Sequence, residues 1–482
     1  MKSIIPWLHK ASLLTIVLFC AIMFLSLGRD YLYDWDEGIY ATIGREMSTS
    51  SHLLTPTWNG ELWLEKPPLI GWVSTIGMRL LGETELGARL FMPIFACLTL
   101  YAIFRLGEKI GGTLMGAMSM ALLGYFNLFI ARARALNTDG ILLAAITWTC
   151  WLVVSNAPAW VVGVIMGLGV MAKGASGILS ILISLPFLLK KNRTYLKILI
   201  LAFLITIVPW HLYQIIVNGY AFISPYFLEQ VLRRATVPIE FHMESRWFYF
   251  NFISKDLGIG IIIVSIMGYL LLFKNWIKEK NNMNIFMIMW WAVIPLILFT
   301  LAKTRLSWYI LPVYPSIALS IGYIIRQFAK EQKTKIVVTI LSVGMLVQMM
   351  LHGYNYVEPN RIKSQLPDLL LVASSLSQYE GGSLAMLVSE SERVAEAILP
   401  TSQSISSSFR YGGAPSVVWY SQKKVLYFYN YDKFRESASS NESITSIIVT
   451  LQDIDKVPPG YTTVFESGNY LGLVRSSGYA YH

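Results

Sequence analysis

Eleven separate apolar runs, most of them long enough to cross a bilayer as helices, leave this chain few ways to fold. A spanning helix needs roughly 20 mainly apolar residues, because the hydrocarbon layer offers no water to satisfy backbone N–H and C=O groups. Such runs lie near 11–28, 86–106, 112–131, 139–155, 158–172, 175–189, 196–217, 257–273, 284–301, 308–325 and 335–352. A twelfth, 67–82, is short, opens with Pro67 and Pro68 and carries Arg79. With 55% hydrophobic and 14% charged residues, the composition excludes an ordinary soluble protein and predicts a polytopic helical membrane protein.

The net charge of +10 does not point to nucleic acid, because Lys and Arg sit in short stretches between the apolar runs. Loops facing the cytoplasm and anionic lipid have this distribution. Four basic clusters are Arg105 with Lys109; Lys190, Lys191, Arg193 and Lys197; Lys274, Lys278 and Lys280; and Arg326, Lys330, Lys333 and Lys335. With the N-terminus inside, all four face the cytoplasm only if 67–82 does not cross, so this run is predicted to be a juxtamembrane helix. Residues 1–27 have a basic start and no small-residue cleavage site, which predicts an uncleaved first span. Cys20, Cys97 and Cys150 lie in apolar runs far apart in sequence and read as core filler.

This topology places on the outer side the loop 28–85, the turns holding Arg132, Arg134 and Asp139, Lys173, and Lys303 with Arg305, the loop 218–256, and everything after about 353. The two predicted domains are therefore 1–352 in the membrane and an outer α/β domain, 353–482. In the latter, SLAMLVS, VVWYSQ, KVLYFYNY, TSIIVTL and LGLVR read as strands, with SQLPDLLLVASSLSQ and SERVAEAIL as helices.

The stretch YDWDEGIYATIGREM crowds Asp34, Asp36 and Glu37 where the chain leaves lipid. Acids beginning a surface helix are common, but Ile39, Tyr40, Ile43 and Met47 share one helical face, so the acidic start of a helix lying on the membrane would point inward. Partial desolvation there would raise a carboxylate's basicity, making Asp36 and Glu37 candidates for a general base. In Glu65-Lys66-Pro67-Pro68 the prolines fix the direction of a possible metal-ligand carboxylate and a phosphate-binding ammonium. Arg132, Arg134, Lys173, Lys303 and Arg305 depart from the positive-inside pattern, as they would around an anionic ligand. Arg233 and Arg234 could clamp phosphate, His242 could hold a metal or carry a proton, and Tyr309 sits at the mouth of a span. Acids with an excess of cations at one membrane level suit group transfer from a lipid-anchored phosphate leaving group.

The order of these features resembles a known family. DE before a Tyr-containing helix, EKP, a basic turn with Asp, KG, a loop with Glu, Arg and His ending in WFYF, and KTRLSWYILP are similar to the bacterial aminoarabinose transferase of lipid A and to the dolichyl-phosphate-mannose-protein mannosyltransferase-like group of GT-C glycosyltransferases. The resemblance covers about residues 1–325 and implies a GT-C membrane fold of about 11 to 13 transmembrane helices. It implies that a sugar moves from a polyprenyl phosphate donor to an envelope lipid or glycan acceptor at the periplasmic side of the bacterial inner membrane. On that resemblance Asp36 is the first-loop catalytic carboxylate and Asp139 the second acid, with Glu37 beside them. Lys66 and Tyr309 match the family's donor-phosphate residues, and the chemistry of the residues themselves adds Tyr40, Arg233, Arg234, Lys303 and Arg305 as expected phosphate contacts. Glu65 and His242 would hold a divalent ion (zinc, magnesium or manganese), with no organic cofactor. The family's Glu-His loop motif reads Glu229-Gln230 here, and Ile39 stands where the aminoarabinose enzymes have Arg. A one-step displacement with inversion is expected; the alternative is a transporter of lipid-linked sugars, which would carry ionisable groups nearer the bilayer midplane.

Overall fold

The computed structural model describes residues 4–33, 35–50, 52–237, 244–279, 282–329, 332–357, 366–379, 381–391, 393–394 and 408–476. Its framework is helical. Among the described residues, eight helical runs are long and apolar enough to cross a membrane: Pro6–Phe24, Glu85–Gly111, Ala159–Leu188, Arg193–Asn218, Ile259–Lys278, Met283–Leu301, Ser307–Phe328 and Thr334–Val357. A ninth arises if Thr113–Tyr125 and Asn127–Arg134, which meet at 71°, form one broken span.

The eleven apolar runs of the sequence all fall on helices, yet two do not count separately by length. Thr138–Val154 is a 17-residue helix, and the runs 158–172 and 175–189 share one helical run, Ala159–Leu188, of 30 residues. That run is nevertheless folded back. At Gly174, φ is +55°, and a Cβ on Gly177 would lie 2.3 Å from the Val170 nitrogen. Backbone contact seven residues apart means that the chain reverses there, which only residues without a side chain permit.

Helix Leu69–Leu81, the expected juxtamembrane element, is about 20 Å long at 1.5 Å per residue, too short to span. It packs on the first-loop helix Asp36–Thr49, where the Thr75 hydroxyl donates to the Gly44 carbonyl at 3.0 Å.

Beyond the last helical run the chain builds a five-stranded mixed sheet. Its spatial order is Val425–Phe428, Ser383–Leu387, Ile444–Thr450, Tyr470–Arg475 and Tyr461–Ser467, the first three parallel and the last two joined antiparallel. Four of the five expected strands are present. The fifth, VVWYSQ, is instead helix Ser416–Ser421, with all six residues buried. A short apolar run buried on every side has no period that separates strand from helix. Helix Tyr431–Ser440 and strand Tyr461–Ser467 were not legible: the strand is an edge whose exposure does not alternate. Helix Asp368–Leu376 lies within the expected SQLPDLLLVASSLSQ; most of SERVAEAIL falls outside the described residues.

The sheet unit is not a detached appendage. One apolar core joins Leu32, Ile39, Tyr40, Trp58 and Trp63 of the first loop to Leu370, Tyr411, Val417 and Trp419 of the C-terminal unit. The contact is close, since a Cβ on Gly38 would lie 2.3 Å from the Ser416 hydroxyl. Arg45 donates to the Trp419 and Val418 carbonyls at 2.8 and 2.9 Å, and Asn59 pairs with both backbone groups of Val425 at 2.7 and 2.8 Å.

Candidate active site

Neighbouring acids on one helix face different surroundings, because successive helical residues point about 100° apart. Glu37 turns inward and is 4% exposed. Its two oxygens accept from Arg89 Nε and Nη2, both at 2.7 Å, and from the backbone N–H groups of Leu136 at 2.7 Å and Tyr33 at 3.1 Å. Four donors fill the carboxylate, so Glu37 is a structural anchor and the expectation of a catalytic role is corrected.

Asp36 turns to a cluster of cations. Its carboxylate lies 3.9 Å from Arg132, whose guanidinium also covers the Trp308 ring at 4.3 Å. Burial raises the Asp36 carboxyl pKa, but Lys66, Arg132, Lys173 and Arg234 more than offset that and hold it below the ordinary carboxylate range. The expectation that desolvation would dominate is thus reversed by four positive charges. Trp35, immediately before it, has φ +68° and ψ −109°, a conformation that costs a bulky residue on the order of 1–3 kcal/mol.

Lys66 donates to the Tyr40 hydroxyl and covers that ring at 5.1 Å. Burial opposes the ammonium, while Tyr40 and Asp36 raise its pKa above the ordinary lysine value. Burial, then Asp36, likewise keeps Tyr40 protonated. From the third side, Asn137 caps helix Thr138–Val154 by accepting from Gly140 N–H at 2.8 Å. This places Asp139 in the first turn, ion-paired to Lys173 at the end of Ala159–Lys173. Asp139 Oδ2 has no partner among the described residues. Lys173 covers the Tyr309 ring at 4.8 Å, and the Tyr309 hydroxyl accepts from Arg234 at 3.0 Å.

The structure therefore gathers Asp36, Tyr40, Lys66, Arg132, Asp139, Lys173, Arg234 and Tyr309 into one electrostatic cluster. Among the described residues, Lys66, Arg132, Lys173 and Arg234 meet there with Asp36 and Asp139. Other expected residues serve elsewhere. Arg134 donates to the Met23 and Leu25 carbonyls at 2.6 and 2.9 Å and so terminates the first helix. Arg305, expected at the donor phosphate, is instead occupied by the Glu244 carbonyl and, at 2.8 Å, that of Thr300. Lys303 is exposed, and its backbone N–H donates to Ala235 at 3.3 Å. Arg233 lies in Ser224–Arg233, beside Arg234. His242 and Asp34 lie outside the described residues.

Around Glu65 the described residues do not suit a divalent ion. Its Oε2 accepts from the Gln230 amide at 2.9 Å and its Oε1 from the Tyr411 hydroxyl at 2.8 Å. Two neutral donors thus face the carboxylate, and no group of three His, Cys, Asp or Glu among the described residues could hold a metal. Gln230 stands where the family's loop motif has His, whereas Tyr411 was not foreseen. Tyr411 is 346 positions from Glu65, and no spacing rule links them.

Comparison with known proteins bears on this arrangement. Residues 65–213 match the family described as dolichyl-phosphate-mannose-protein mannosyltransferase. An uncharacterized protein of Aquifex aeolicus is 27% identical over 77% of this chain and 75% of its own length. The undecaprenyl phosphate-alpha-4-amino-4-deoxy-L-arabinose arabinosyl transferase of Pseudomonas savastanoi pv. phaseolicola is 28% identical over 64% of this chain and 60% of its own. In fold, ArnT from Cupriavidus metallidurans bound to undecaprenyl phosphate superposes with a TM-score of 0.73 at 14% identity, over 95% of this chain and 97% of that one. The chain is thus similar to the mannosyltransferase family over residues 65–213 and to an aminoarabinose transferase over about two thirds of its length, and these relatives support glycosyltransferase activity. An oligosaccharyltransferase of Archaeoglobus fulgidus shares the fold at a TM-score of 0.59 and 12% identity, over 92% of this chain and 70% of that one. The chain spans only about three fifths of the length of the curated arabinosyl transferase. Its multi-pass membrane character follows from both the helices and these relatives.

Proposed function

We propose that the enzyme moves a sugar from a polyprenyl phosphate donor to the hydroxyl of an envelope lipid or glycan at the outer, periplasmic side of the inner membrane. The observation that carries this reading is that Lys66, Arg132, Lys173 and Arg234 all act on Asp36, while one oxygen of the second acid, Asp139, has no partner among the described residues. The donor is a phosphodiester with one negative charge. When the bond between its anomeric carbon and phosphate oxygen breaks, the polyprenyl phosphate leaves as a dianion. A site lined by several cations therefore favours the transition state over the bound donor, which is the condition for raising the rate.

The assigned roles follow. Lys66, Arg234 and Tyr309 hold the phosphate, and Lys173, tied to Asp139, adds charge beneath it. The acceptor oxygen attacks the anomeric carbon from the face opposite the phosphate, its proton passes to Asp36, and the configuration inverts. Asp36 is a weak base while the cations surround it. Donor phosphate neutralises those cations and so raises Asp36 basicity when a proton must be taken.

The test is incubation of purified full-length enzyme with labelled polyprenyl phosphate sugar and crude envelope acceptors. Covalent transfer, lost in Asp36→Asn, supports the reading. Movement of intact donor across liposomes without transfer would overturn it in favour of transport.

A further inference from the structure

Glu65 sits where three separate parts of the chain meet. Trp63 and Glu65 belong to the first loop, Gln230 to Ser224–Arg233, and Tyr411 to the C-terminal unit, where it is 4% exposed. The direction of the hydrogen bonds is fixed by chemistry. The Trp63 indole N–H can only donate, and it donates to the Tyr411 oxygen at 2.7 Å. The single Tyr411 hydrogen goes to Glu65 Oε1 at 2.8 Å. Burial, with the Glu65 charge beside it, keeps that phenol protonated and able to donate. On the other oxygen, Gln230 donates at 2.9 Å.

Two further contacts tie the same tyrosine to the site. Its ring packs edge-on against Trp35 at 5.8 Å, the strained residue preceding Asp36, and against Trp58 at 4.8 Å. Lys66 follows Glu65 directly, and Pro67 and Pro68 leave the chain little freedom beyond it. A carboxylate held from both sides therefore fixes the backbone from which Lys66 reaches Tyr40. Gln230, in turn, is four residues from Arg234, which reaches Tyr309.

We propose that Tyr411 is a positioning residue: with Gln230 it grips Glu65, and through Glu65 the C-terminal unit sets Lys66 in the donor-phosphate pocket. The C-terminal unit is then a working part of the transferase. This inference rests on the reading of Lys66 as a donor-phosphate group.

Tyr411→Phe removes one oxygen and keeps the ring packing. Loss of a hydrogen bond to a charged group predicts a rise in KM for the lipid-linked sugar of about tenfold, with a smaller change in kcat. In Tyr411→Phe with Lys66→Ala the two effects should not add, because one acts through the other. Wild-type KM in Tyr411→Phe, or additive effects in the double variant, would overturn the proposal. Should Tyr411→Phe not accumulate, Glu65→Gln leaves the C-terminal unit intact and must raise KM in the same way; an unchanged KM there overturns it equally. Direct binding of undecaprenyl phosphate separates the two levels. If Lys66→Ala binds it as the wild type does, the donor-site reading itself fails. If Lys66→Ala binds weakly and Tyr411→Phe normally, only the positioning role fails.

Discussion

Removing Glu37 separates structure from chemistry most sharply. In Glu37→Ala, Arg89 stays buried at 3% exposure without its counter-charge. Breaking a buried ion pair from one side costs about 3–5 kcal/mol. The buried Leu136 N–H, which donates to Glu37 at 2.7 Å, loses its partner as well and adds about 1 kcal/mol or more. Against this, Arg89 keeps the carbonyls of Leu27, Asp30 and Tyr31 at 3.1, 2.8 and 2.8 Å, which moderates the charge penalty toward its lower end. The expected loss is therefore about 4 kcal/mol, read as a shift in the unfolding midpoint of detergent-solubilised protein. Glu37→Met with Arg89→Met should recover part of it, because no charge is then stranded. A Glu37→Ala protein of wild-type stability that no longer transfers sugar would refute this reasoning and return Glu37 to the chemistry.

The neighbouring Asp36→Asn should do the reverse, lowering transfer by about a hundredfold or more while stability and donor binding hold, since base catalysis is typically worth that much. The pH dependence should reflect the cations around Asp36: its lowered pKa keeps it ionised, so kcat/KM should fall only as the medium becomes more acidic than about 3.9, the ordinary aspartate value. In the donor complex the phosphate offsets those cations, so the acid limb of kcat should lie at higher pH; coincident limbs would contradict the assignment. Lys66→Ala should raise KM for the donor well beyond Lys303→Ala, because Lys303 is exposed; equal effects would place Lys303 in the site. Exhaustive chelation should leave transfer intact, since Gln230 and Tyr411 occupy Glu65; a loss restored by zinc or manganese would contradict that.

Some of this protein was written in local sequence. Apolar runs with basic loops are properties of consecutive residues, so the helical membrane class and the position of nearly every long helix could be read directly. So could the short helix after EKP, which the placement of the basic clusters set apart from the spans, and the presence of acids and cations at the ends of spans. Tertiary packing decided the rest. Asp36 and Glu37 are adjacent and chemically alike, and only the rotation of their helix against Arg89 on one side and Lys66 on the other gives one to structure and one to the site. Arg134 and Arg305 looked like ligand cations until the fold placed backbone carbonyls against them. Tyr411 carried no signal, because sequence spacing encodes the period of a helix or strand, whereas a hydrogen bond across more than three hundred residues exists only once the core that joins the two segments has formed.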